Sequence, residues 1–589
     1  MDKFSTRQKK CPLFIGVDVG TGSARACLVD SNGVILSMCE QAIHHEELVP
    51  DHITQSSTEI WEKICFCVRD ILEKSAVSGN DVRGIGFDAT CSLVVVDEES
   101  HSPVAVGPNF LNNNENIMLW MDHRAGEETK EINLTHDKCL KYVGGRMSIE
   151  MEIPKIKWLK NNISADVFNR CKFYDLSDFL TFRATGSQTK SLCAAACKQG
   201  FLPNGVEGST DGWSASFLTA IGLEELTHNN YAKLGGPLKS RDAANGNNYL
   251  SPGQYIGTLS ESAAMELGLS TQCAVSSGLI DAYAGWIGTV AATSSLDGTT
   301  TGSAMDAVGR LAVVAGTSTC HITVSKEPIF VDGIWGPYKD VLMDNFWCAE
   351  GGQTCTGELL QFILTSHPAY EELESLARVQ GISKYEYLNS RLKDKMKESN
   401  IGSVLELIKH IFFYGDLRGN RSPLSDASMR GSMIGMTMDI SLDDLTLKYL
   451  SVCEFISLQT RHIIDTMTNA GHKINALYIS GGQCRNKLLM ELLANATGYP
   501  VVIPKYIDSA VVLGAAIMGA SAYRILELGT QISKRDVLWD TMRSMTTANG
   551  VIMPFEPSHS ERRLLDAKYG IFLKMANDQR EYRSIMDAL

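Results

Sequence analysis

The chain has 589 residues, 44% of them apolar and 21% charged, and its 68 acidic against 54 basic side chains leave a formal net charge of −14. These proportions describe a folded globular protein and exclude a disordered, collagenous or coiled-coil chain. The length suits two to four domains of roughly 150 residues each. Acidity without a basic block excludes a dedicated nucleic-acid or anionic-membrane binder.

The first ten residues, Met1 to Lys10, are polar and lack the apolar stretch of a secretory leader. Phe14 to Asp30 then reads as two strands around a tight turn, with β-branched residues before Gly20 and apolar alternation after it; Gly20 and Gly22 are expected to supply turn dihedrals closed to other residues. Helical spacing covers Ser57 to Glu73, and strands are predicted at Arg83 to Phe87 and Leu93 to Asp97. Ala291 to Ala304, built from Thr, Ser, Gly and Ala, suits a surface connection or a crossover between lobes.

Leu311 to Val324 repeats the first strand–turn–strand pattern. Aligning Gly316-Thr317 with Gly20-Thr21 gives an offset of 296 residues (316 − 20), almost half the chain, which marks a domain-scale duplication. Beyond it, Leu442 to Ala470 is a long amphipathic helix. A strand (Ala476 to Ile479), a Gly-Gly turn, a helix (Asn486 to Thr497) stopped by Gly498, and a strand (Val501 to Ile503) form a βαβ unit. No apolar run reaches the roughly 18 residues of a membrane span; Val511 to Ala522 is short and rich in Gly and Ala. Ser560 to Leu589 reads as a charged amphipathic helix added at the periphery. The 16 cysteines, among them Cys27, Cys65, Cys67, Cys193 and Cys453, are scattered through apolar runs without paired Cys-x-x-Cys motifs, so reduced core thiols in a cytoplasmic protein are expected.

Asp18-Val19-Gly20-Thr21-Gly22-Ser23 places a carboxylate at the end of a buried strand, before a turn of small residues. Such a turn can cradle phosphate oxygens while the carboxylate holds a hydrated Mg²⁺; a plain hairpin turn is the competing reading. The second Gly-Thr-Ser turn at 316 to 318 favours phosphate, since two such turns can flank one triphosphate. The dinucleotide fingerprint and the Walker A pattern are both absent. Gly481-Gly482 opens a helix, a natural anion or base site and equally a structural turn. Asp281 ends the apolar run Val275 to Ile280 and opens a small-residue helix, where residue type alone favours a cap over a catalytic base.

Taken together, these pieces resemble the FGGY family of carbohydrate kinases. The paired Gly-Thr loops, Trp120-Met121-Asp122-His123-Arg124, Lys155-Ile156-Lys157-Trp158-Leu159, Gly278 to Gly285, Glu350-Gly351-Gly352-Gln353, the Gly-Gly turn at 481 and Gly514-Ala515-Ala516 occur in family order across about residues 13 to 525. Gly86 to Ser92 and Asp122 to Ala125 are most similar to the eukaryotic FGGY pentulose kinases, which phosphorylate D-ribulose. Bacterial L-ribulokinases instead carry Lys-His-His where this chain has Met121-Asp122-His123.

The resemblance implies an α/β fold of two duplicated lobes, the actin-like, hexokinase-like (ribonuclease H-like) ATPase fold, with lobes at 11–290 and 306–555 and a peripheral helix at 556–589. It also implies ATP-dependent phosphorylation of a ketopentose, D-ribulose foremost. The alternatives are a related kinase for ribitol, xylulose, L-ribulose or glycerol, or an actin-like ATPase acting as chaperone or scaffold. By the same resemblance Asp281 is the catalytic base, and the sugar or polyol pocket draws on Trp120, Asp122, Arg124, Lys198, Asp281 and Glu350. ATP falls to Thr21, Gly22, Ser23, Arg25, Gly316, Thr317, Gly481, Gly482 and Asn486, and Mg²⁺ to Asp18 and Asp281. The partners expected are small molecules, with no nucleic acid and no membrane; a homodimer is left open.

Overall fold

The computed structural model describes residues 11–239, 248–296, 298, 301–529 and 532–589. Met1 to Lys10, and residues 297, 299 and 300 of the small-residue stretch, lie outside the described residues.

The apolar run at Phe14 forms β1 (Leu13–Val19), which returns as β2 (Ser23–Val29) and pairs on with β3 (Ile35–Ala42). The Gly20 N–H closes the β1–β2 turn on Ser23 O at 2.9 Å. Neither Gly20 nor Gly22 has a positive φ, so the turn does not need glycine for its dihedrals. Nor is glycine needed at 22 for room, since a Cβ there would meet nothing within 4 Å.

Helix α1 (Ser57–Ser75) starts at Ser56, whose hydroxyl accepts the Glu59 N–H, and buries Ile60, Ile64, Val68 and Ile71 along one stripe. It feeds β4 (Val82–Ala89), parallel to β1 with Asp88 opposite Asp18. Later come α2 (Leu192–Lys198), β5 (Tyr255–Thr258), β6 (Ala274–Ser276), β7 (Leu279–Ile280) and α3 (Asp281–Ile287). The sheet order is β5-β6-β4-β1-β2-β3, with β7 pairing alongside β4. A second, five-stranded sheet that includes Ile117–Met118 leads into the segment carrying Trp120.

The second lobe contains β8 (Gly309–Ala315), β9 (Thr319–Ser325), β10 (Trp335–Lys339), β11 (Trp347–Gln353), α4 (Leu442–Asn469), β12 (Ile474–Ser480), α5 (Lys487–Thr497) and β13 (Val501–Pro504). Then follow α6 (Ala510–Leu528), β14 (Ala548–Ile552) and α7 (Ser560–Asp587). Its sheet runs β10-β11-β9-β8-β12-β13-β14. Strands β11-β9-β8-β12-β13-β14 repeat β3-β2-β1-β4-β6-β5, with the same succession of antiparallel and parallel pairings. The 296-residue repeat is therefore a repeated sheet, and the Gly316 N–H closes its turn on Ser318 O at 2.9 Å.

Two helices depart from expectation. By length and composition α6 is apolar enough to cross a membrane, yet most of it is buried. It belongs to the second half of the sequence but packs across the first lobe's sheet. A Cβ on Gly16, Gly84 or Gly86 would fall 1.9–2.2 Å from a carbonyl oxygen of α6, so the strand glycines admit the helix backbone. Helix α7 is not merely peripheral. Leu565, Tyr569, Phe572 and Met575 share one face and enter the second lobe's core, and Lys568 Nζ meets Glu454 Oε1 at 3.0 Å inside it.

Candidate active site

The ends of β1, β4 and β7, the turn after β8 and the Gly-Gly turn after β12 all open onto one interlobe cleft of about 530 Å³. A larger cavity of about 980 Å³ beside α1 contains none of the expected residues, and the Arg183–Glu266 ion pair at 3.0 Å lies among its lining residues. The chemistry is concentrated in the smaller space.

At the cleft's centre, Asp281 is the first residue of α3. One oxygen accepts the Ala282 N–H at 2.6 Å. Burial pushes the carboxyl up to about 6, and the charge of Asp18 adds to this; the Ala282 amide and Lys198 offset part of it. Asp18 is also raised by burial, against the Arg25 guanidinium 3.4 Å away. Behind them Asp88 is fully buried, with both oxygens lacking a hydrogen-bond donor among the described residues. Burial, then Asp18 and Asp281, lift Asp88 well above the usual carboxylate range.

Two facing carboxylates with open space suit Mg²⁺, which keeps most of its water and takes one or two protein carboxylates. Among the described residues no group of three or more His, Cys, Asp or Glu side chains is placed to hold a metal ion as a cage. Around the acids, the two Gly-Thr turns face the same space from opposite lobes. Gln483 Nε2 donates to Gly316 O at 2.9 Å and ties the Gly-Gly turn to the second of them. Gly481 has φ +98°, and a Cβ there would lie 2.1 Å from Ala315 O, so this position requires glycine.

At the other end, Lys198 is buried and lies 4.4 Å from the Trp335 ring centroid. Burial opposes its charge, but Cys91, Glu350 and Glu150 outweigh that and hold its pKa above the ordinary value. It is not the solvated helix-end lysine that residue type alone would favour. Glu350 accepts the Tyr283 hydroxyl at 2.8 Å. Trp120 donates its indole N–H to Thr21 Oγ1 at 3.0 Å, joining sugar-side and phosphate-side residues.

Of the expected residues the cleft thus brings together Asp18, Thr21, Arg25, Trp120, Lys198, Asp281, Gly316, Thr317, Glu350, Gly481 and Gly482. It does not bring in Asp122 or Arg124. Their side chains form a fully buried ion pair at 2.6 Å, with Asp122 also accepting the Ile53 N–H and Arg124 donating to Val106 O. Asn486 is the N-cap of α5, accepting from Leu489 N and donating to the Tyr449 hydroxyl. Gly22 and Ser23 lie beside the cleft rather than on its wall, and the Ser23 hydroxyl is directed to Glu40.

Sequence reasoning missed Asp88, Lys155, Glu150, Trp335 and Arg421. Asp88 could have been found, since like Asp18 it ends an apolar strand. Lys155 is fully buried and donates to the carbonyls of Leu119 and Trp120, fixing the tryptophan's segment. Glu150 and Arg421 lie in irregular segments with no periodic signal.

The profile of the FGGY family of carbohydrate kinases matches through its N-terminal domain at residues 13–225 and its C-terminal domain at 311–523. A D-ribulokinase of Saccharomyces cerevisiae is 48% identical over the whole of this chain and 95% of its own. An FGGY carbohydrate kinase domain-containing protein of Homo sapiens is 39% identical over 98% of this chain and 99% of its own. A ligand-bound xylulose kinase from Lactobacillus acidophilus superposes with a TM-score of 0.71 at 18% identity, covering 96% of this chain and 98% of that one, which speaks for the fold alone.

Proposed function

This chain belongs to the FGGY family of carbohydrate kinases, with the two-lobed actin-like fold, and on that premise we propose that it transfers the γ-phosphoryl group of ATP to a terminal hydroxyl of D-ribulose. The observation that carries the reading is Asp281, set in the cleft between the phosphate-side residues Asp18 and Thr21 and the sugar-side residues Lys198 and Glu350. The choice of D-ribulose rests on the yeast D-ribulokinase. A neutral sugar also suits the charge balance, because Lys198 is matched by Glu350 and Arg421 by Glu150.

In this reading the two Gly-Thr turns offer backbone N–H and hydroxyl donors to the phosphates, and Gly481 and Gly482 border the nucleoside. Asp18 and Asp281 would hold Mg²⁺, whose charge would neutralise the polyphosphate. Asp281 accepts the proton of the attacking hydroxyl as its oxygen bonds to phosphorus and the bond to the ADP oxygen breaks. General-base assistance of this kind is worth about 10²–10⁴-fold. The Ala282 N–H holds one carboxylate oxygen, leaving the other to take the proton.

The test is coupled ADP release over D-ribulose, D-xylulose, L-ribulose, ribitol and glycerol. D-Ribulose should give the highest kcat/KM, and Asp281→Asn should lower it by about 10²–10⁴-fold. A variant that keeps full sugar-dependent turnover would remove Asp281 as the base, and an enzyme inert to every acceptor would remove the kinase reading.

A further inference from the structure

Of the segment Trp120-Met121-Asp122-His123-Arg124, which the family resemblance assigns to the sugar, only Trp120 reaches the wall of the cleft. Its one polar atom is already engaged, since the indole N–H donates to Thr21 Oγ1 at 3.0 Å. An indole N–H is a single donor without acceptor capacity, so Trp120 has no donor left for a sugar hydroxyl. The bond also sets the role of the threonine. An oxygen that accepts from the indole keeps its own hydrogen to donate, and among the described residues nothing accepts it. Thr21 lines the cleft in the turn between β1 and β2, beside Asp18, so that donor is available to an oxygen bound there.

The rest of the segment supports the same grip. Asp122 Oδ2 accepts the Ile53 N–H at 2.7 Å, and Ile53 lies in the strand His52–Gln55. Gln55, buried at the end of that strand, donates its Nε2 to Thr21 O at 2.8 Å. Arg124 locks Asp122 at 2.6 Å, and Lys155 Nζ holds Trp120 O at 3.2 Å. Trp120 and Gln55, tied together through Asp122, therefore hold Thr21 by its side chain and by its backbone. The turn has little other cover, because a Cβ on Gly20 would meet only Ser23 O within 4 Å and one on Gly22 nothing. We propose that Trp120 is a positioning residue whose N–H directs the Thr21 hydroxyl to the transferring phosphoryl group. The buried Asp122–Arg124 pair serves that grip from behind, and the ring of Trp120 still borders the cleft. A donor fixed in advance costs no reorganisation when charge shifts onto the phosphoryl oxygens. This rests on the kinase reading above and places the polar function of Trp120 on the phosphate side.

The experiment is a double-mutant cycle between Trp120→Phe, which keeps an aromatic face without the N–H, and Thr21→Val, which keeps the shape without the hydroxyl. It measures kcat, KM for D-ribulose and KM for ATP, with thermal melting as the folding control; Thr21→Ala replaces the valine variant if that one melts early. Trp120→Phe alone should lower kcat by about 10-fold, the scale of one hydrogen bond, with KM for D-ribulose within about threefold. Combined with Thr21→Val the same change should cost less than about twofold. Combined with Thr21→Ser, which keeps the hydroxyl, it should again cost about 10-fold. Equal losses with and without the Thr21 hydroxyl would overturn the inference, because a tryptophan that merely packs acts in both backgrounds. A raised KM for D-ribulose at unchanged kcat would overturn it too, as the mark of a direct sugar contact. A wild type inert to every ketose would remove the kinase reading instead, and this inference with it.

Discussion

In the proposed reaction Asp281 is the base, and its burial sets its working range. A carboxylate must be ionised to accept a proton, and burial raises this one to about 6, so lowering the pH through that value removes the base. The kcat/KM for sugar should be level above about pH 7 and fall about tenfold per unit below about pH 6. Asp281→Asn should abolish that break in its residual activity. A pH profile with its acid limb near 4 would mean that the charge of bound Mg²⁺ or solvent, and not burial, sets the carboxyl's pKa when it acts. The residues legible in the sequence are of this kind: Asp18 and Asp281 each end an apolar run, where a strand must leave the core and expose its next side chain at the sheet edge. Asp122 and Arg124 shared a motif but not that context. Two residues apart in a tight segment, their charges neutralise each other inside the fold, a pairing that residue type does not distinguish from a sugar contact. Arg421 and Glu150, 271 residues apart, meet only through the packing of two lobes, so neither carries a local signal.

Among the elements, periodicity located α1, α4, α5 and the duplicated strand pairs to within a few residues, because each has one apolar face and a clear terminator such as Gly498 at the end of α5. It could not say which lobe an element serves. Helix α6 is apolar on nearly all sides, the mark of a fully enclosed helix, and its small residues let it touch the strand backbones of the first lobe directly. The close approach has a measurable cost if disturbed. In Gly86→Ala the new Cβ would meet Ala515 O at 2.1 Å and Ala515 C at 3.0 Å, and backbone cannot rotate away as a flexible side chain does. Gly86→Ala should therefore destabilise the protein by about 1–3 kcal/mol or more, read as a lower denaturant midpoint, whereas alanine at the exposed Gly22, with nothing within 4 Å, should leave the midpoint unchanged. Equal midpoints for the two variants would mean that α6 lifts off the sheet at little cost. The core-facing half of α7 eluded the same reading because its stripe is diluted by charges, one of which, Lys568, is itself buried against Glu454.

For the whole molecule, duplication explains why one cleft suffices for two substrates of opposite character. Each lobe presents its β-turn at the same place in its sheet, so facing lobes bring the two Gly-Thr turns together, and in the proposed reading the net charge of −14 would be no obstacle, because backbone donors and a divalent ion would meet the polyphosphate. The same design leaves a hazard, since water is smaller than any sugar and can reach the phosphorus whenever the cleft is formed without an acceptor. Among the described residues, hydrogen bonds join the lobes both at the sugar end, Glu150–Arg421 at 2.9 Å and Tyr283–Glu350 at 2.8 Å, and farther out, Ser251–Asp344 at 2.6 Å and Lys339–Asn204 at 3.0 Å. A bound sugar that adds contacts to Lys198 of the first lobe and Glu350 of the second would favour the closed arrangement, and only by as much as it binds that arrangement more tightly than the open one. ADP release with ATP alone should accordingly be slow, and D-ribulose should raise it by at least about 100-fold. A ketose paired with a non-hydrolysable ATP analogue should lower the radius of gyration in small-angle scattering below the value with either ligand alone. Equal ATP turnover with and without ketose, at an unchanged radius, would mean that the cleft is permanently closed and that water is excluded by packing alone.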